Sequence, residues 1–287
     1  MSTLASAAPA AAPAADTADG TRTRFGDLVA AEWIKTRSLR STPWLLAFTV
    51  LFVIGCAALA ALADASNLAH MDPGRRATMS DFLVFDAYPP PAYMTLMLVA
   101  GSLGAISVVS EYSSGLIATT TVAVPARGSV VLAKAVVMAV LWTVVGTVTA
   151  IGSFAVAQAV LHGQHAGVPF THPGVLRAMV ASALLAPVCA LIGLGLGVLI
   201  RHSAATMVTS AVTLLMLPLF FSTSRRWSAD INHAMVSTAW KRLVQNWEPQ
   251  AHSLGFDATV GGSWTVYVLW PLVAIVLAVV FVRRRDV

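Results

Sequence analysis

The sequence is poor in charge. Of its 287 residues only 11% are Asp, Glu, Lys or Arg, while 57% are hydrophobic, against about 25% and 45–50% in a soluble globular domain. Too few ionic side chains are present to coat a folded surface of this size, so lipid is the expected solvent for most of it. Cysteine is scarce as well: Cys56 and Cys189 stand alone, each inside an apolar run. A thiol there packs as a small apolar group, so neither a disulfide framework nor a cysteine metal site is expected. No GxxxxGK[ST] run and no HExxH occur, so no phosphate loop, zinc site or catalytic residue is assigned to the chain. Residues 1–22 are Ala- and Pro-rich, without a basic start or a continuous apolar core. They are expected to be a disordered cytoplasmic tail rather than a secretory signal, with the membrane domain over 23–287.

What is abundant is long apolar sequence. Six runs approach or exceed the roughly 20 residues that cross a bilayer core: Trp44–Ala63, Ala92–Val109, Ala135–Leu161, Ala178–Ile200, Ala204–Phe221 and Trp264–Val282. None contains Asp, Glu, Lys or Arg. An all-α membrane protein of six transmembrane helices follows. The net charge of +5 gathers beside these runs, where it sets orientation and does not imply nucleic acid. Eleven basic residues fall on the side of the termini and seven on the other, which predicts both termini in the cytoplasm. Fifteen arginines against three lysines fit a bacterial source, hence a multi-pass protein of a bacterial plasma membrane.

Three segments between or before the runs carry further pattern. Arg24–Thr42 has helical composition up to Pro43; Phe25, Leu28, Val29 and Leu39 share an arc with Trp33 at its edge, and Glu32 falls inside that arc. We expect a helix in the inner membrane interface, with Glu32, Trp33, Lys35, Arg37 and Arg40 as its distinctive residues. The inner loop from Glu111 to Lys134 is punctuated at Gly115 and at Pro125–Gly128, with Ser129 as a candidate cap for the next helix. In the outer segment Ser222–Gly262, Val236, Trp240, Leu243, Val244 and Trp247 fall on one helical face and Ser237, Lys241, Gln245 and Glu248 on the other. That pattern predicts an amphipathic outer helix resting on the outer leaflet or capping the bundle.

Within the runs, Gly193, Gly195 and Gly197 point to close helix packing rather than a nucleotide fingerprint. The loop histidines His162, His165 and His172 lack a companion Cys or carboxylate, so no metal is expected there. Thr143 and Thr147 in the third run, with Thr206, Thr209, Ser210 and Thr213 in the fifth, are candidates for lining a pathway, although small hydroxyls also serve as interhelical glue.

The segments AEWIKTRSLRSTPW and EYSSGLIATTTVAVPARGSVVLAK resemble the type-2 permease family of ABC exporters, in particular its six-span bacterial members. The second carries the E-Y-x-x-G-x-I/L-x-T-T…P-x-R pattern at Glu111, Tyr112, Gly115, Ile117, Thr119, Thr120, Pro125 and Arg127. The resemblance implies a cytoplasmic coupling helix between the second and third spans, which docks on a separate ABC ATPase subunit. Glu111, Tyr112, Ser113, Ser114, Gly115, Leu116, Ile117, Thr119, Thr120, Pro125 and Arg127 are its expected coupling residues. It also implies a permease dimer, with ATP and Mg bound by the partner ATPase, and export by alternating access of an unidentified, hydrophobic substrate. Glu111, at a membrane boundary, is expected to pair with Lys35 or Arg37. The competing expectation is an ATP-independent membrane sensor or immunity protein that acts by binding a partner.

Overall fold

A computed structural model describes residues 24–38, 40–72, 74, 80–115, 127–163, 165–247 and 255–284. Its helices are α1 (Phe25–Ser38), α2 (Ser41–Ala69), α3 (Ser80–Asp86), α4 (Pro90–Ser113), α5 (Arg127–His162), α6 (Val175–Ile200), α7 (Ser203–Ala211), α8 (Arg226–His233), α9 (Val236–Val244) and α10 (Val260–Arg284). Six stretches are long and apolar enough to cross a membrane: Ser41–Ala69, Phe82–Ser113, Arg127–His162, Val175–Ile200, Ser203–Phe220 and Val260–Arg284. Helices suit these sequences because each satisfies its own backbone hydrogen bonds without water.

Every one of these helices except the fifth outruns the apolar stretch that nominated it, and so takes in charge. Asp64 lies on α2, Asp86 on α3, Glu111 on α4, Lys134 on α5 and Arg177 on α6. The apolar runs themselves stay free of Asp, Glu, Lys and Arg, and the charges enter on the added turns at their ends. A helix ends where its hydrogen-bond ladder ends, not where its side chains turn polar. Ser129 is likewise not a cap, since α5 is already under way at Arg127, and Pro43 stands in the first turn of α2, where its missing N–H costs nothing.

Helix α6 is the centre. It packs against α4, α5, α10, α9 and α7, and 67% of its most apolar window is buried, against 11% for α10 at the periphery. Small residues make this centre possible. Side chains at Gly104 and Gly193 would run into the backbone of Ala190 and Gly101, so α4 and α6 cross with their main chains in contact. Gly195 points the other way, where an added Cβ would stand 2.7 Å from Ala274 Cβ on α10. Pro187 interrupts the α6 ladder and leaves the Ala183 carbonyl without its helical donor. That carbonyl faces Gly146 of α5, where any side chain would collide with it.

The fifth span changes pitch. α7 passes into a π-helical turn over Val212–Met216 and a 3-10 turn over Leu217–Phe220, the local answer to a Pro218 that cannot donate to the ladder. The carbonyls of Pro218 and Phe221 at its end accept from the buried Asn232 side chain, both at 2.8 Å. Asn232 belongs to α8, an element with no counterpart among the sequence expectations. Helix α9 then enters the bundle. Val236, Ala239, Trp240, Leu243 and Val244 are buried, as the apolar face requires, but so is Ser237, which had been placed on the polar face. The helix stops at Val244, and Trp247 beyond it still packs, stacked on Phe82 with centroids 4.6 Å apart.

Candidate functional site

The most highly organised polar structure lies at the end of the bundle that carries residues 24 and 284. Helix α1 crosses this end and packs on α5. Its inward arc holds Leu28, Val29, Glu32 and Thr36; of the apolar arc expected from sequence, Leu28 and Val29 face inward while Phe25 and Trp33 are exposed, and Glu32 is the buried member, 4% exposed. The reason a carboxylate occupies an apolar arc is Lys134, two turns into α5 and 6% exposed. Lys134 Nζ donates to Glu32 Oε2 at 2.5 Å and to Glu111 Oε1 at 3.0 Å. Lys35 Nζ donates to the other Glu32 oxygen at 2.7 Å and to the same Glu111 oxygen at 3.1 Å. The four charges therefore alternate around a closed ring, Glu32–Lys35–Glu111–Lys134.

The ring is neutral, and each charge has two opposite neighbours, which is the condition under which burying ions is tolerable. Burial drives the Glu32 carboxyl upward, but the ammoniums of Lys134 and Lys35 more than offset it and hold it below the ordinary glutamate value. Burial works against the Lys35 ammonium, yet its bonds to Glu32 and Glu111 raise it above the ordinary lysine value. Both groups are thus held charged.

Glu111 sits in the last turns of α4 and Lys134 in the first turns of α5, so their contact closes the base of the segment that joins the two helices. Of the coupling residues expected from sequence, Glu111, Tyr112 and Ser113 continue the α4 helix, Ser114 and Gly115 end it, and Arg127 opens α5. Gly115 takes φ +70°, a backbone position that favours glycine. The hydroxyls of Ser113 and Ser114 donate to the Ser110 carbonyl at 3.0 and 2.8 Å. Leu116, Ile117, Thr119, Thr120 and Pro125, and with them the expected coupling helix, lie outside the described residues. Tyr112 is gripped from a third side: the Arg201 guanidinium, at the end of α6, lies 4.7 Å from its ring centroid.

The Glu111–Lys35 pair expected from sequence is present, and Arg37 takes no part in it. Missing from the expectation was Lys134, which has the larger role because it touches both carboxylates from within. Its signal was a lone lysine at the head of a long apolar run, opposite a lone glutamate at the foot of the preceding one. Trp33 and Arg37 are exposed on α1, and Arg40 is exposed at the start of α2.

The candidate pathway residues do not assemble. Thr143 and Thr147 lie on α5, which packs on α2, α6, α1 and α10, whereas Thr206, Thr209, Ser210 and Thr213 follow the fifth span against α4 and α6. Thr143 and Thr206 bond to carbonyls one turn back in their own helices. Within one chain they form two separate sets, and Thr206 and Ser210 are buried between helices rather than facing a channel. At the opposite end of the bundle, Asp86 of α3 lies against Asp64 of α2. One Asp86 oxygen is buried there without a hydrogen-bond partner among the described residues. Both carboxylates lie outside the apolar runs expected as spans.

No protein-family model and no curated protein sequence matches the chain.

Proposed function

We propose that this chain is the membrane-spanning permease subunit of an ATP-driven exporter, worked by a separate ABC ATPase through the segment between α4 and α5. The observation that carries the proposal is the ionic ring at the base of that segment. A lever transmits force only if its root is stiff, and the ring fixes the root of this one to both flanking spans and to α1 at once. In this reading both termini and the ring lie on the cytoplasmic face of a bacterial plasma membrane. Helix α1 lies in the inner interface, and α8 and α9 cap the outer end. ATPase closure pushes the segment, the tie delivers the push to α4 and α5, and the close glycine crossings let α4 and α6 shift without side-chain interlock. Two copies of the chain meet in the membrane, and an apolar interior suits a hydrophobic substrate.

The test is biochemical. Purified from its native membrane in mild detergent, the chain should carry ATP hydrolysis with it, and a chain whose residues 112–126 are replaced by a Gly/Ser linker should fold but lose that hydrolysis. Hydrolysis that persists in the replaced chain, or none with either chain, counts against the proposal.

One observation favours a reading without ATP, the Asp64–Asp86 contact, because carboxylates paired at the edge of a bundle can carry a proton. Gradient-driven solute movement abolished by Asp86→Asn would support that reading instead.

A further inference from the structure

Helix α1 sends one acidic group, Glu32, inward, and its other, Asp27, stays in the first turn, far from the corner with α2. At about 100° per residue, the inward face of Leu28, Val29, Glu32 and Thr36 is followed around the helix by Trp33, Arg37, Ala30 and Ile34, all exposed. Asp27 lies on the same stripe as Ile34 but two turns nearer the start of the helix, away from Arg37 and Arg40, and its carboxylate accepts from the Arg24 backbone N–H at 2.9 Å. Trp33 and Ile34 are 43% and 67% exposed, and past the junction with α2 the surface continues through Trp44 at 79% and Phe48 at 67%. Arg37 and Arg40 stand at this corner, both exposed and neither in an ion pair among the described residues. Because Glu32 is spent inside the ring, it does not neutralise them.

We infer that the corner between α1 and α2 is a binding site for an anionic phospholipid, whose headgroup phosphate is held by Arg37 and Arg40 while its chains lie along Ile34, Trp44 and Phe48. Guanidinium groups bind phosphate through paired N–H donors. Indole rings settle at headgroup depth, which places the two arginines at the level of the phosphate. A zwitterionic lipid brings a cation to the same place and gains less from the pair. Charge complementarity therefore selects a lipid with net negative charge. This inference goes beyond the exporter proposal and does not depend on it, since it needs only a chain seated in a bilayer with α1 at the surface.

The measurement is native mass spectrometry of the full chain in detergent, titrated with phosphatidylglycerol or phosphatidylcholine. The wild-type chain should bind its first phosphatidylglycerol about 25-fold more tightly than phosphatidylcholine, roughly fivefold for each of the two arginines. Arg37→Gln with Arg40→Gln should abolish most of that preference, and Arg37→Lys with Arg40→Lys should keep most of it. Arg225→Gln with Arg226→Gln, which removes the same charge at the opposite end, should leave it unchanged. Inorganic phosphate at the same concentration should not compete. The inference is overturned if the wild-type chain shows no preference, if the Arg37/Arg40 glutamine pair retains it, if the Arg225/Arg226 pair loses it equally, or if free phosphate displaces the lipid.

Discussion

The two ends of the bundle are held by different forces. At the end that carries the termini, four full charges from α1, α4 and α5 close a ring in which each depends on its neighbours. At the other end, α9 is held by packing and by single hydrogen bonds. Trp240 stacks on Tyr93 with centroids 5.1 Å apart and donates to Ser182 Oγ at 3.2 Å. Arg177 donates to the last carbonyls of the α9 region, Leu243 at 3.0 Å and Gln245 at 2.7 Å, a cation placed at a helix C-terminus. The contrast has a physical lesson. A ring of charges fails when one member is deleted, because the remainder are left buried and unpaired. A packed cap fails in proportion to the volume removed.

The largest expected effect probes the ring. Lys134→Met leaves Glu32 and Glu111 sharing only the half-exposed Lys35, and the loss should be about 3–5 kcal/mol, seen as a fall in the thermal midpoint of the detergent-solubilised protein. Adding Glu32→Gln and Glu111→Gln to that variant should restore most of the loss, because the one charge left, on Lys35, is half exposed and solvated by water. Failure of that restoration would mean that stranded carboxylates are not the source of the loss. Trp240→Ala at the cap should cost a comparable 3 kcal/mol or so, but with a different dependence on acid. The deficit of Lys134→Met should shrink as pH falls and the stranded carboxylates protonate, whereas that of Trp240→Ala should not change with pH. If the two deficits follow pH alike, the contrast between the ends is wrong.

Smaller effects sharpen it. Glu111→Lys places a third cation beside Lys35 and Lys134, and Lys35→Glu should rescue it only partly, because Lys134 keeps a like-charged neighbour. Lys134→Glu should rescue it only partly as well, because it sets a second carboxylate against buried Glu32, both read from the same midpoints. In the wild-type chain, the depressed Glu32 carboxyl contributes stability that is whole above the ordinary glutamate value of about 4.3 and is lost as pH falls through its lower folded value. The raised Lys35 ammonium contributes stability that is whole below about 10.4 and is lost as pH rises through its higher folded value. The midpoint should therefore show no ring-dependent slope between those limits, and Trp240→Phe, which removes one neutral bond worth about 1 kcal/mol, should lower the whole curve evenly.

Six helices were legible because apolar length is a one-dimensional property that a sequence states directly. The α9 face was legible for the same kind of reason, since a period of 3.6 needs no partner to be seen. The ring was half legible. Glu111 and Lys35 stood out as charges at membrane boundaries, but Glu32 read as a flaw in an apolar arc because its purpose, Lys134, lies 102 residues away. The Asp64–Asp86 contact escaped because both residues fall just outside the apolar runs, and only the extra turns of α2 and the separate α3 bring them together. Helix α8 escaped because its exposed, mixed sequence has no apolar length, and its buried Asn232 answers the Pro218 and Phe221 carbonyls at the end of another element.

The proposal that a separate ATPase drives this bundle requires that the chain move no solute by itself. It is tested most directly by reconstituting the purified chain alone in sealed vesicles, imposing a proton gradient, and following a panel of lipophilic fluorescent solutes. No gradient-driven movement is expected from the chain alone, and movement should appear when the co-purifying ATPase and ATP are supplied. Movement by the chain alone, lost in Asp86→Asn, would contradict the account.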